Sequence, residues 1–72
     1  MTNVQQEMVE YNVQDVIRFI VEDNHIPVEQ AMEKFFMSET FEKLNDAETG
    51  LYLEGPAYIY QMLQKEGNID IT

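Results

Sequence analysis

Glu48-Thr49-Gly50-Leu51-Tyr52-Leu53-Glu54-Gly55-Pro56-Ala57-Tyr58-Ile59-Tyr60-Gln61-Met62-Leu63 is the most specified stretch of the chain, because it holds turn punctuation, three tyrosines and a helical pattern together. Gly50 can take a positive φ that residues with a Cβ resist, and Gly55-Pro56 joins a permissive hinge to a residue whose fixed φ suits a first helical turn. Leu51-Tyr52-Leu53 must then bridge two helical regions, and an extended bridge is expected. Beyond Pro56 a helix should place Ile59, Met62 and Leu63 inward, with Tyr58 and Tyr60 to either side and Gly67 ending it at C′.

Upstream of this stretch, Ser38 reads as the N-cap of a short helix whose buried edge is Phe41 and Leu44. Glu39 and Lys43 form an i, i+4 pair in the favourable order. Asp46 can cap one further turn, Ala47-Glu48-Thr49, which Gly50 closes. Before Ser38, Val28, Ala31, Met32, Phe35 and Phe36 recur at three- and four-residue steps, with Gln30, Glu33 and Lys34 on the wet side. That helix should start near Pro27, with Glu29 in its first turn. Asn24 and Pro27 mark the end of a longer one, from about Val4 to Asp23, with an inner face of Val9, Val13, Val16, Ile17 and Ile20. Its β-branched centre also suits a buried strand, but the polar flanks are too long for one, and Asp15 and Glu22 can screen Arg18 along a helical face. The expected fold is mainly α: a small bundle of three to four helices with an extended bridge at residues 51–53. One domain over 1–72 is expected, with 1–3 and 68–72 frayed or, for 68–72, a short strand beside Leu51 to Leu53.

The 72 residues carry four basic and fourteen acidic side chains, a formal charge of −10. A chain this short buries only about 60% of its unfolded surface, so a partner or a second copy is expected to complete some of the apolar surface. Hydrophobic residues at 44% argue against general disorder. There is no cysteine, which removes disulfides and thiolate metal sites. No basic segment precedes an apolar one and no window approaches a bilayer span, so a cytoplasmic protein without signal peptide or membrane contact is expected.

The acidic residues invite a metal reading, and Asn45-Asp46-Ala47-Glu48-Thr49-Gly50 is the best local candidate. With Gly50 at position six of a calcium loop, Ala47 and Pro56 would fall at ligand positions three and twelve, and neither offers a side-chain oxygen. His25 has no second ligand at helical spacing, and Ser38 has no nucleophile-elbow pattern around it. Gly50 and Gly55 are too scattered to cradle a phosphate, and four basic residues cannot neutralise several phosphates of a nucleic acid. No cofactor, metal or catalytic residue is expected. Phe35, Phe36 and Phe41 read as core, while Tyr52 should stand exposed on the bridge.

Met32-Glu33-Lys34-Phe35-Phe36, Ser38-Glu39-Thr40, Lys43-Leu44, Glu48-Thr49-Gly50-Leu51-Tyr52-Leu53-Glu54 and Tyr58-Ile59-Tyr60 together resemble short uncharacterised bacterial proteins, domains of unknown function found in toxin–antitoxin-like or mobile cassettes. The resemblance implies a bacterial, cytoplasmic, helical protein, and carries over no functional residues. The functional expectation is a non-catalytic acidic interaction module, antitoxin-like or regulatory, that binds a basic protein through Tyr52, Glu48, Glu54 and Tyr58, with homodimerisation left open. The alternative is a nucleic-acid-mimicking inhibitor of anti-restriction or anti-CRISPR type, which requires Glu22, Asp23, Glu29, Glu33, Glu39 and Glu42 to form a stripe. A small enzyme would have only Glu48, Glu54, His25 and nearby tyrosines to work with.

Overall fold

The longest element, α1 (Asn3–Asn24), sets the length of the molecule: its 22 residues rise about 33 Å, against a long axis of 37 Å. A computed structural model describes residues 2–67. The first turn of α1 is capped. Thr2 Oγ1 accepts from the Gln5 N–H at 3.1 Å and Gln5 Oε1 accepts from the Thr2 N–H at 2.9 Å, a reciprocal capping box. Two otherwise orphaned amides are satisfied in this way. Val9, Asn12, Val16 and Ile20 form the buried stripe, with Val13, Ile17, Phe19 and Val21 packed beside it. On the wet side Arg18 pairs with Asp15 at 3.3 Å.

His25, rather than Asn24, takes the left-handed conformation that ends α1, with φ 55 and ψ 46. Asn24 stays helical, and its Nδ2 donates to the Ile20 carbonyl at 3.0 Å. Pro27 precedes α2 (Val28–Phe36), which buries Ala31 and Phe35. The expected inner face of α2 contains two rows of side chains, and only the 31–35 row turns inward. Val28, Met32 and Phe36 are exposed, so Phe36 is not core. A nine-residue helix in a thin domain has room to bury one narrow stripe.

Ser38 caps α3 (Glu39–Asn45) as expected. It accepts from the Phe41 N–H at 3.0 Å and donates to the Phe35 carbonyl at 2.6 Å. The two amides before Phe41 are claimed from far away: Glu66 accepts from the Glu39 N–H at 2.7 Å, the Thr40 N–H at 3.0 Å and the Thr40 hydroxyl at 2.7 Å. Glu39 and Lys43 form no ion pair among the described residues.

Asp46 caps a 3-10 turn (Ala47–Thr49), which Gly50 closes at φ 67. The following segment corrects the expected extended bridge: Leu51–Leu53 is a second 3-10 turn. With no strand beside them in the described residues, these amides would lack partners if extended. Coiling lets the Leu53 N–H reach the Gly50 carbonyl and the Glu54 N–H the Leu51 carbonyl, both at 3.0 Å. Leu51 points into the core and Leu53 out. Gly55 then leads through Pro56 into α4 (Pro56–Glu66), which buries Ile59, Tyr60 and Leu63 and ends at Gly67 with φ 87. The fraying or strand expected for 68–72 lies outside the described residues.

The result is the expected small helical bundle. α1 packs on α4, α2 and the second 3-10 turn, while α3 packs chiefly on α4, α2 and the two turns, leaving a seam between α1 and α3.

Two titrating groups tie α4 to the other helices. Burial alone would raise the Glu66 carboxyl, but the Thr40 hydroxyl, the Glu39 and Thr40 amides and nearby Lys43 outweigh it and hold the group below its ordinary 4.5. A carboxyl lowered on folding adds stability above its unfolded value that is lost as pH falls through the folded one. Glu66→Gln should therefore melt in less urea than the wild type at neutral pH, by about 0.5–2 kcal/mol, with the gap closing as pH falls below 4.5. Tyr60 behaves oppositely: burial, then the Asp23 carboxylate beside it, push its phenol from 10.0 to about 12. The neutral phenol is favoured by folding, so its contribution is complete below pH 10 and fades as pH rises through the folded value. Chemical denaturation from pH 9 upward, with Tyr60→Phe as the reference that lacks this loss, checks it.

Candidate functional site

The second 3-10 turn holds Tyr52 half-buried, against the expectation that it stands free. Its hydroxyl accepts from Gln5 Nε2 at 2.9 Å and its carbonyl accepts from Asn12 Nδ2 at 3.0 Å. Tyr52 is thus a tie between the turn and α1, because coiling the bridge swings the ring back over the helix start. Asn12 is the other half of the tie and is 6% exposed. The sequence carries a signal for it: Asn12 interrupts the inward positions of α1 between Val9 and Val16.

Glu48, on the first 3-10 turn, is exposed, and its N–H donates to Asp46. Glu54 and Tyr58 do come together. With Lys43, Thr49, Leu51 and Met62 they line an open hollow of about 190 Å³. Tyr52, Glu48 and His25 take no part in that lining. The hollow therefore joins one carboxylate, one ammonium and one phenol on a shallow surface, an arrangement suited to polar contact.

A second concavity, about 270 Å³, follows the seam between α1 and α3. Val9, Val13, Phe36 and Phe41 supply its apolar lining, and Gln6, Glu10, Gln14 and Asn45 its polar one. Gln6, Glu10 and Gln14 recur every fourth residue, so they form one ridge along α1. The phenyl rings of Phe36 and Phe41 lie 4.9 Å apart, and Phe35 braces Phe41 from the core at 5.3 Å. Phe36 is 41% exposed and its neighbour Met37 79% exposed. Counting all three phenylalanines as core hid this surface, and the signal available was the doubled row of apolar residues on α2.

Ser38 is buried with its hydroxyl engaged on both sides, which suits a cap and leaves no reactive oxygen. His25 is exposed at a helix end. Among the described residues no group of three His, Cys, Asp or Glu is placed to hold a metal ion, and no helix is long and apolar enough to cross a membrane. No protein-family model, curated protein or solved structure matches the chain.

The tie at Tyr52 has a measurable strength. Asn12→Ala removes a buried donor and should cost about 1–3 kcal/mol, whereas Tyr52→Phe removes one hydrogen bond at a half-buried hydroxyl and should cost about 0.5–1.5 kcal/mol. Urea midpoints of both variants and of the double variant check this, with values that fail to add because both substitutions act on one junction.

Proposed function

We propose that this chain is a non-catalytic interaction module that binds a basic protein through its acidic surface, in an antitoxin-like or regulatory role. The observation that supports this reading is the exposure of its charge. Every acidic side chain among the described residues is exposed except Asp15, which pairs with Arg18, and Glu66, which caps α3. A surface on which one sign predominates steers an oppositely charged partner and costs stability in the free protein through self-repulsion. Binding relieves that repulsion. Glu48, Glu54 and Tyr58 remain accessible to such a partner, and Tyr52 contributes by holding the second 3-10 turn, which Glu54 follows, against α1.

The resemblance to bacterial cassette proteins supplies the concrete form of the proposal: a cytoplasmic protein whose partner is the basic product of a neighbouring gene. Co-expression with neighbouring products, followed by stopped-flow association of the purified pair, tests it. The association rate should fall by about ten-fold or more between low and physiological ionic strength, with a much smaller change in dissociation. An association rate insensitive to salt overturns the electrostatic reading. A partner whose DNA site competes directly with this chain favours the mimic instead.

A further inference from the structure

We infer that the seam between α1 and α3 is a docking groove for an amphipathic helix of the partner, with an apolar face and Lys or Arg flanks. The inference rests on the proposed basic partner and adds the place and form of contact.

The groove is a shallow trough with the length of a short helix. From Gln6 to Gln14 its α1 wall runs about 12 Å, roughly two helical turns. Its base is aliphatic and aromatic, Val9 and Val13 from α1 with Phe36 and Phe41 from the opposite side. Met32 lies one turn before Phe36 on α2 and is exposed, whereas Met37, also exposed, lines a separate hollow with Gln30, Glu33 and Lys34. The apolar surface therefore continues past the groove along α2, and methionine adapts its shape to what covers it. Side chains at i, i+3, i+4 and i+7 of an incoming helix fit such a trough. Along the top, the Gln6, Glu10 and Gln14 ridge and Asn45 offer hydrogen bonds at the edge of the buried strip, where an interface is normally polar.

Charge selects the occupant. Glu10 is the one charged residue in the lining, Glu7 stands exposed one turn before it, and Glu42 stands exposed beside Phe41. No cation lines the groove. Basic residues flanking an apolar face meet the carboxylates of Glu7 and Glu10 along the α1 wall. A second copy of this chain would bring the same acids against them, on a molecule already at −10. Size argues in the same direction: a stable interface hides about 800 Å² per partner, a large share of a total surface of 4748 Å². A two-turn groove covers far less, which suits a helix and not a globular face.

The probe is a synthetic Leu/Lys peptide with leucines at i, i+3, i+4 and i+7, compared with a scrambled peptide of the same composition. Both are titrated into the full chain at low salt, with backbone amide shifts and calorimetry as readouts. The ordered peptide should shift the amides of Val9 to Gln14 and of Phe36 to Phe41, and bind about ten-fold or more tightly than the scramble. Phe36→Asp should weaken it about ten-fold, with the thermal midpoint measured alongside because the ring also packs on Phe41 at 4.9 Å. Glu10→Arg, at an exposed rim position, should weaken the ordered peptide more than the scramble, and it carries the test if Phe36→Asp perturbs the fold.

Equal affinity for the two peptides, or shifts spread away from the groove, overturns the groove while leaving the acidic reading standing. Failure of both peptides to bind overturns both. Sedimentation showing a dimer of this chain that Phe36→Asp dissociates also overturns the helix-docking inference, because the seam is then a contact between copies.

Discussion

The N-terminus of α3 depends on a carboxylate supplied by another helix. Seven residues are too few for a helix to hold itself together in water, where nucleation is costly and packing supplies most of the stability. Here every amide from Ser38 to Glu42 finds an acceptor: the Phe35 carbonyl for Ser38, Glu66 for Glu39 and Thr40, the Ser38 hydroxyl for Phe41 and the Ser38 carbonyl for Glu42. The negative carboxylate also meets the positive end of the helix dipole. Because Glu66 closes α4, this one contact fixes where α3 lies along α4. With α3 fixed, Leu44 enters the core and Phe41 meets Phe36 at the seam.

What could be read from the residues alone was what local chemistry decides. Ser38, Asp46, Gly50, Pro56 and Gly67 each act within a few residues of themselves, and each appears in the role its side chain or backbone freedom implies. The helical class follows from the same punctuation. What could not be read depends on groups distant in the chain. Glu66 reaches back 26 residues to Thr40, and Tyr52 reaches 47 residues to Gln5, so neither spacing leaves a periodic trace. Leu51-Tyr52-Leu53 is apolar enough for a strand, and the lack of a neighbouring strand among the described residues leaves it to coil. Phe36 stands partly exposed: periodicity says which residues share a face, without saying how much of that face the rest of a small chain can cover. Of the four candidate site residues, Glu54 and Tyr58 share a surface, Glu48 stands apart, and Tyr52 is occupied within the fold.

The thin core and the strong charge are linked. Val16, Ile20, Phe35, Leu44, Ile59 and Leu63 are fully buried, and they must hold the chain against the mutual repulsion of the acids around them. Apolar area left open along α2 and the seam is area not used for that purpose. Phe36 beside the seam and Met32 one turn before it on α2, both left uncovered, fit a surface completed on binding.

Gln5 has a double engagement. Its carbonyl oxygen accepts from the Thr2 amide while its side-chain nitrogen donates to the Tyr52 hydroxyl, so a single planar group joins the start of α1 to a turn in the second half of the chain. An amide cannot rotate to favour one partner without abandoning the other. The first turn and the tyrosine hydroxyl are consequently coupled through one side chain, and the geometry of each constrains the other.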